Sequence, residues 1–125
     1  MSKYHNQKTT TADGIVHDSR KEANRWCELL LLQRGGMIRD LDRQVEFLLI
    51  PTQIETYDRV GKRGQALKQG SRVVEKACRY VADFVYVDCK TGKTVVEDTK
   101  GVRTEAYRIK KKLMLQVYGI KITEV

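Results

Sequence analysis

The sequence predicts a mixed α/β (α+β) fold in a single domain over residues 1–125. Three observations carry that expectation. Two segments show helical apolar spacing between a capping residue and a glycine stop. Several short segments alternate apolar and polar residues as strands do. At 125 residues and 41 % hydrophobic content, the chain is long and apolar enough to bury one core, which excludes a disordered protein.

The elements follow in order. Lys8–Asp18 reads as an N-terminal hairpin: Thr9, Thr10 and Thr11 are β-branched, Asp13-Gly14 suits a turn with positive φ, and Ile15-Val16 resume the extended run. Ser19 caps a helix, and Glu22, three residues on, completes a capping box. Glu22, Trp26, Leu29, Leu30 and Gln33 share one helical face until Gly35-Gly36. Val45–Ile50 is a strand stopped by Pro51, and Thr52–Tyr57 extends or partners it. Asp58 to Gly70 reads as a flexible basic loop punctuated by Gly61, Gly64 and Gly70. Arg72–Cys78 suits either a strand or a helical turn. Tyr80–Asp88 is the clearest strand, with Val81, Asp83, Val85 and Val87 on one face and Ala82, Phe84 and Tyr86 on the other. Lys90-Thr91-Gly92-Lys93 turns the chain into a returning strand, Thr94–Lys100, ended by Gly101. Thr104 caps a second helix that Gly119 stops, and Ile120–Val125 alternates as a last strand. The order is hairpin, α, β, basic loop, β, β, α, β.

Composition narrows the partners. Lys and Arg total 24 against 16 acids, a net charge of +8, which points to a polyanion such as nucleic acid. No apolar run approaches the ~20 residues of a membrane span. Met1–Thr11 has no apolar core, so a secretory signal is not expected. Cys27, Cys78 and Cys89 form no CxxC pair and read as free thiols of a reducing cytoplasm.

The informative constellation is Asp83 with Asp98-Thr99-Lys100. A carboxylate inside an apolar strand is costly unless paired or facing a metal. Asp83 lies eight residues before Thr91 and Asp98 six after Gly92, so a tight hairpin brings both to the same end. Two like charges there favour a divalent cation between them, and all-oxygen donors suit Mg²⁺ or Mn²⁺. Lys100, two residues beyond Asp98, shares its face and could act on the attacking water or on phosphate charge. Glu22, on the helix stripe with Trp26, adds a third acid.

Asp83, then Asp98-x-Lys100 on the next strand, with Glu22 on a preceding helix, resembles the PD-(D/E)XK nuclease superfamily. Several stretches also resemble small phage-encoded proteins of the endonuclease I or Holliday-junction-resolvase kind. They are Lys3-Tyr4-His5-Asn6, Asp13-Gly14, Asp18-Ser19-Arg20-Lys21-Glu22-Ala23, Ala82-Asp83-Phe84, Val96-Glu97-Asp98-Thr99-Lys100-Gly101 and Tyr107-Arg108-Ile109-Lys110. The residue before the first acid is Ala82, where the superfamily motif has a proline. The resemblance implies a restriction-endonuclease-like αβββαβ core, a mixed sheet flanked by helices. It implies a Mg²⁺-dependent endonuclease, with Mn²⁺ as substitute and no organic cofactor, that hydrolyses phosphodiesters in branched DNA. Asp83 and Asp98 would bind the metal with the Thr99 carbonyl, Glu22 would join directly or through water, and Lys100 would act on the nucleophile. Cutting both strands of a junction implies a homodimer, and a phage origin implies the host cytoplasm.

Lys62, Arg63 and Lys68 of the loop, with Arg103, Lys110 and Lys112, are candidate DNA contacts. Each candidate has a plainer reading. Asp83 and Asp98 could pair with Arg79 or Arg103 at the surface, and the capping box alone accounts for Glu22. His5 and His17 read as surface residues, and Trp26, Tyr80, Phe84 and Tyr86 as core. A non-catalytic nucleic-acid binder, or a restriction-like or single-strand nuclease, would share these features.

Overall fold

The computed structural model describes residues 7–99 and 103–125. The N-terminal hairpin pairs β1 (Thr9–Thr10) with β2 (Val16–His17), antiparallel. Asp13 secures it: one carboxylate oxygen accepts from the Thr11 hydroxyl and, at 3.1 Å, from the Ile15 N–H. The other accepts the Trp26 indole N–H at 2.7 Å, which ties the hairpin to the first helix. These donors, Thr11 above all, hold the Asp13 carboxyl down at about 2.

Helix α1 (Arg20–Arg34) begins as expected, the Ser19 hydroxyl accepting from the Glu22 N–H at 3.1 Å. Its buried stripe is Glu22, Ala23, Trp26 and Leu29. The chain continues as β3 (Ile38–Ile50), β4 (Gln53–Val60), β5 (Ala66–Glu75), β6 (Cys78–Asp88), β7 (Thr94–Asp98), α2 (Glu105–Tyr118) and β8 (Thr123–Glu124). Thr104 caps α2 through the Tyr107 N–H, and Gly119, at φ 68°, ends it in the left-handed conformation that favours glycine.

The main sheet is mixed, in the order β3-β6-β7-β8; its first two pairings are antiparallel and β7–β8 is parallel. With the hairpin β1–β2 and the pair β4–β5 set aside, the elements run α1, β3, β6, β7, α2, β8. Central strand β6 serves two cores. Tyr80 and Ala82 pack with Leu49, Val96, Tyr107, Met114 and Ile122. Phe84 and Tyr86 pack with Trp26, Leu29 and Ile38. Full burial of side chains such as Phe84, Leu29 and Met114 stabilises by about 1.5–3 kcal/mol each.

Glu97 is buried inside this frame. The Arg25 guanidinium clamps both its oxygens at 2.8 and 2.7 Å, and the Tyr86 hydroxyl donates to it. Burial then pushes the Tyr86 phenol up to about 12. Glu97 therefore turns toward α1.

Three expectations are corrected. First, the strand placed at Val45–Ile50 begins at Ile38; its polar first half, with a register shift between Arg39 and Asp42, hid it from a pattern search. Second, the flexible basic loop of 58–70 is an ordered two-stranded arm, β4 paired with β5. Only Gly61-Lys62-Arg63-Gly64 form its turn, closed by Gly61 N–H to Gln65 O at 2.8 Å. Gly70 is a strand residue whose missing side chain makes room for Tyr57: an added Cβ would lie 2.3 Å from that ring. Third, the last strand is only Thr123–Glu124.

Two outcomes are expected. Arg25→Met leaves Glu97 charged and buried, and should destabilise the protein by about 3 kcal/mol in urea denaturation. The arm's residues are almost all exposed, so its amides should exchange hydrogen far faster than those of β6, and Gly70→Ala should speed them further with little change in β6.

Candidate active site

Residues from α1, β3, β6 and β7 meet where β7 ends, beside the middle of β3 and β6. The register aligns three of them laterally. Gln44 lies between the pairs Arg43↔Phe84 and Val45↔Ala82, opposite Asp83, and the pair Phe84↔Glu97 sets Asp98 opposite Asp83 on the other side. Asp83 thus sits centrally, on the middle of three adjacent strands. Its Oδ2 accepts from the Thr99 backbone N–H and hydroxyl, both at 2.8 Å. Its Oδ1 faces the Gln44 amide Nε2 at 3.5 Å.

The same Nε2 donates to Glu22 Oε1 at 3.2 Å. Two carboxylates from different elements therefore converge on one nitrogen. The capping box accounts only for the Glu22 backbone N–H, and the side chain turns into the site. Burial, with the charges of Asp83 and Asp18, raises the Glu22 carboxyl to about 7. Asp98 contributes less to that shift. Its own carboxylate is fully buried and accepts the Tyr80 hydroxyl, and burial and Asp98 together push that phenol upward.

His17, expected at the surface, is fully buried. The hairpin folds it against Trp26, ring centroids 6.1 Å apart. Burial, aided by Arg43, lowers its pKa. Its Nδ1 has no hydrogen-bond partner among the described residues and lies 3.7 Å from Glu22 Oε1. With the imidazole neutral, that contact is no salt bridge.

The structure thus brings Glu22 and Asp83 together and sets Asp98 one strand away, its carboxylate directed to Tyr80. Thr99 enters through its N–H and hydroxyl, which orient Asp83. Lys100, and the stretch Lys3-Tyr4-His5-Asn6, lie outside the described residues. The surface pairings with Arg79 and Arg103 do not form: Arg79 lies 3.9 Å from Glu46, and Arg103 pairs with Glu124. Among the described residues, no three His, Cys, Asp or Glu side chains gather as a metal-binding group.

A divalent cation nonetheless fits the chemistry of the pair. Glu22 and Asp83 offer hard oxygens around a point now held by an N–H donor, and a cation would relieve the repulsion that raises Glu22. Sequence reasoning missed Gln44 and His17. The one available signal was Gln44's position, immediately before the apolar part of its strand, Val45–Ile50.

Candidate DNA contacts fall in two places. Lys62 and Arg63 form the tip of the arm and Lys68 lies on β5. Arg103 and Lys112 line a groove of about 520 Å³ between α2 and β8, with Arg108, Lys111 and Lys121. Lys111 is paired with Glu124, and Lys110 is half-buried on α2. No helix among the described residues is long and apolar enough to cross a membrane.

Fold and site define a mixed α+β protein with acidic side chains gathered between its first helix and a four-stranded mixed sheet. The chain belongs to a family described as "Protein of unknown function (DUF1064)", matched over residues 1–124. No curated protein and no solved structure matches it.

Glu22 links stability to pH. Folding raises its pKa from the ordinary 4.5 to about 7, so its contribution is complete below 4.5 and is lost as pH rises through 7. Glu22→Gln cannot ionise. In EDTA it should match the wild-type Tm near pH 5 and exceed it by roughly 5–10 °C at pH 8, from a shift worth about 3 kcal/mol. Equal offsets at both pH values would contradict this.

Proposed function

We propose that the protein is a divalent-cation-dependent endonuclease of the PD-(D/E)XK type with a restriction-endonuclease-like core, hydrolysing phosphodiesters in branched DNA as a homodimer. The observation that carries this reading is the convergence of Glu22 and Asp83 on one point, the Gln44 amide, with Asp98 aligned on the neighbouring strand. The element order α1, β3, β6, β7, α2, β8 agrees with the αβββαβ core that the resemblance implies. The branched substrate and the dimer rest on the likeness to junction-resolving enzymes.

Mg²⁺ or Mn²⁺, when bound, supplies Lewis acidity at the phosphate and the attacking water. The rest is done by the chain. Glu22 and Asp83 would hold the cation, with Asp98 beside them. The Thr99 N–H and hydroxyl fix the Asp83 carboxylate through Oδ2, which leaves Oδ1 to face the site. Glu22 must give up its proton, so cation binding competes with protonation near neutral pH. Lys100, by the resemblance, acts on the nucleophile or on the charge that develops on phosphate.

The charge distribution suits a DNA partner. Between Arg59 and Lys68 the arm carries four cations and no acid. A two-stranded ribbon of this kind fits a DNA groove, and the basic groove at α2 suits a phosphate backbone.

The decisive assay compares wild type with Asp83→Ala on a four-way junction, a linear duplex and a single strand, each with Mg²⁺, Mn²⁺ or EDTA. Wild type should cut the junction preferentially and only with metal. Asp83→Ala should lose cutting by at least about a hundredfold, the scale of losing one group that stabilises developing charge, while binding persists at matched salt. Wild-type binding without cutting of any substrate would favour a non-catalytic DNA binder. Replacing Lys62 and Arg63 with alanine should weaken binding to all sequences alike and flatten the slope of log K against log salt by about 2.

A further inference from the structure

Gln44 has a backbone that its strand does not require. It sits within β3 at φ 53°, in the left-handed region that residues other than glycine enter at an energetic cost. Its neighbours Arg43 and Val45 keep their partners on β6, so the departure is confined to one residue. Its effect is to aim one amide at two acids: Nε2 lies 3.2 Å from Glu22 Oε1 and 3.5 Å from Asp83 Oδ1. Gln44 is also exposed, so an ion reaches this point without opening the core.

Side-chain chemistry narrows the role. Lysine here would neutralise the acids permanently, and glutamate would add a charge to a crowded site. An amide alone offers a donor on one atom and a hard oxygen acceptor on the other. We infer that Gln44 is the exchangeable member of the cation site: without metal its amide N–H holds Glu22 and Asp83 together, and with Mg²⁺ or Mn²⁺ between them the amide turns to present its oxygen. This rests on the cation-dependent reading above but not on DNA cleavage. Gln44 therefore keeps the empty site assembled and joins the ligands of the filled one.

The test is Mn²⁺ binding, by electron paramagnetic resonance or calorimetry, together with Tm in EDTA and in Mn²⁺, on the full chain without DNA. Gln44→Leu should bind Mn²⁺ about tenfold or more weakly, the scale of losing a group that supports a metal site. Gln44→Glu should lower Tm in EDTA and recover it in Mn²⁺ with a larger shift than wild type. Gln44→Lys should raise Tm in EDTA and abolish the response to Mn²⁺. If Gln44→Leu does not fold, the opposite responses of the glutamate and lysine variants decide. Wild-type Mn²⁺ affinity in Gln44→Leu, or no Mn²⁺ binding by wild type that Asp83→Asn removes, would overturn the inference. Gln44-dependent Mn²⁺ binding in a protein that cuts no DNA would instead defeat the nuclease reading and leave this one standing.

Discussion

Burying carboxylates is the constraint around which this molecule is arranged. Glu22, Glu97 and Asp98 are each less than 5 % exposed, and the last two close strand β7. An unpaired ionised carboxylate in such surroundings costs several kcal/mol. Each acid meets that cost differently. Glu97 has a guanidinium clamp and a phenol, and so joins α1 to the sheet. Asp98 accepts a buried tyrosine hydroxyl. Glu22 has an amide donor and a neutral imidazole in contact and the Arg43 charge near it, yet burial and the neighbouring acids prevail and raise its carboxyl to about 7. The first two solutions are permanent. The third is provisional, and it is the one a cation would complete.

The elements around the site follow from that arrangement. The hairpin β1–β2 contributes His17, whose ring closes one side of Glu22, and Asp13 fixes the hairpin to Trp26. Strand β3 departs from regular geometry at Asp40 and Gln44, both with positive φ. Such strain persists only where surrounding structure over-determines it. Here the ladder to β6 on either side of Gln44, and the two carboxylates at its side chain, do so.

Much of this was legible in sequence where a local rule has one strong cause. Ser19, Thr104 and Gly119 marked helix ends because unsatisfied backbone groups there demand particular side chains or a left-handed residue. Asp83 and Asp98 stood out because acids are rare in apolar strands. The arm was misread because glycines and lysines mark loops on average, whereas Gly70 serves a packing contact with Tyr57 that appears only after pairing. His17 was misread because its burial depends on the hairpin closing over α1, a tertiary event. Gln44 left only its place beside the apolar half of β3, since its importance lies in one backbone dihedral and in partners 22 and 39 residues away. Glu97 and Asp98 were separated by spacing to Lys100, and the structure separates them on a different ground: one faces a guanidinium and the other a phenol.

On the nuclease reading, an acidic site and a polyanionic partner would be in electrostatic conflict, and burial of the acids would reduce it. Of the acids near the site, Glu97 is neutralised internally by Arg25, and Asp98 is out of solvent. Glu22 is close to half-protonated at neutral pH, so the formal charge of +8 understates the positive field outside. The cations have the opposite placement. Lys62, Arg63 and Lys68 stand on an arm with little packing to the body, and Arg108, Lys112 and Lys121 rim an open groove. A phosphate backbone reaching the Glu22–Asp83 pair would meet carboxylate there, where a divalent cation would reverse the sign. On the nuclease reading, the metal is then needed to admit the substrate as well as to activate it.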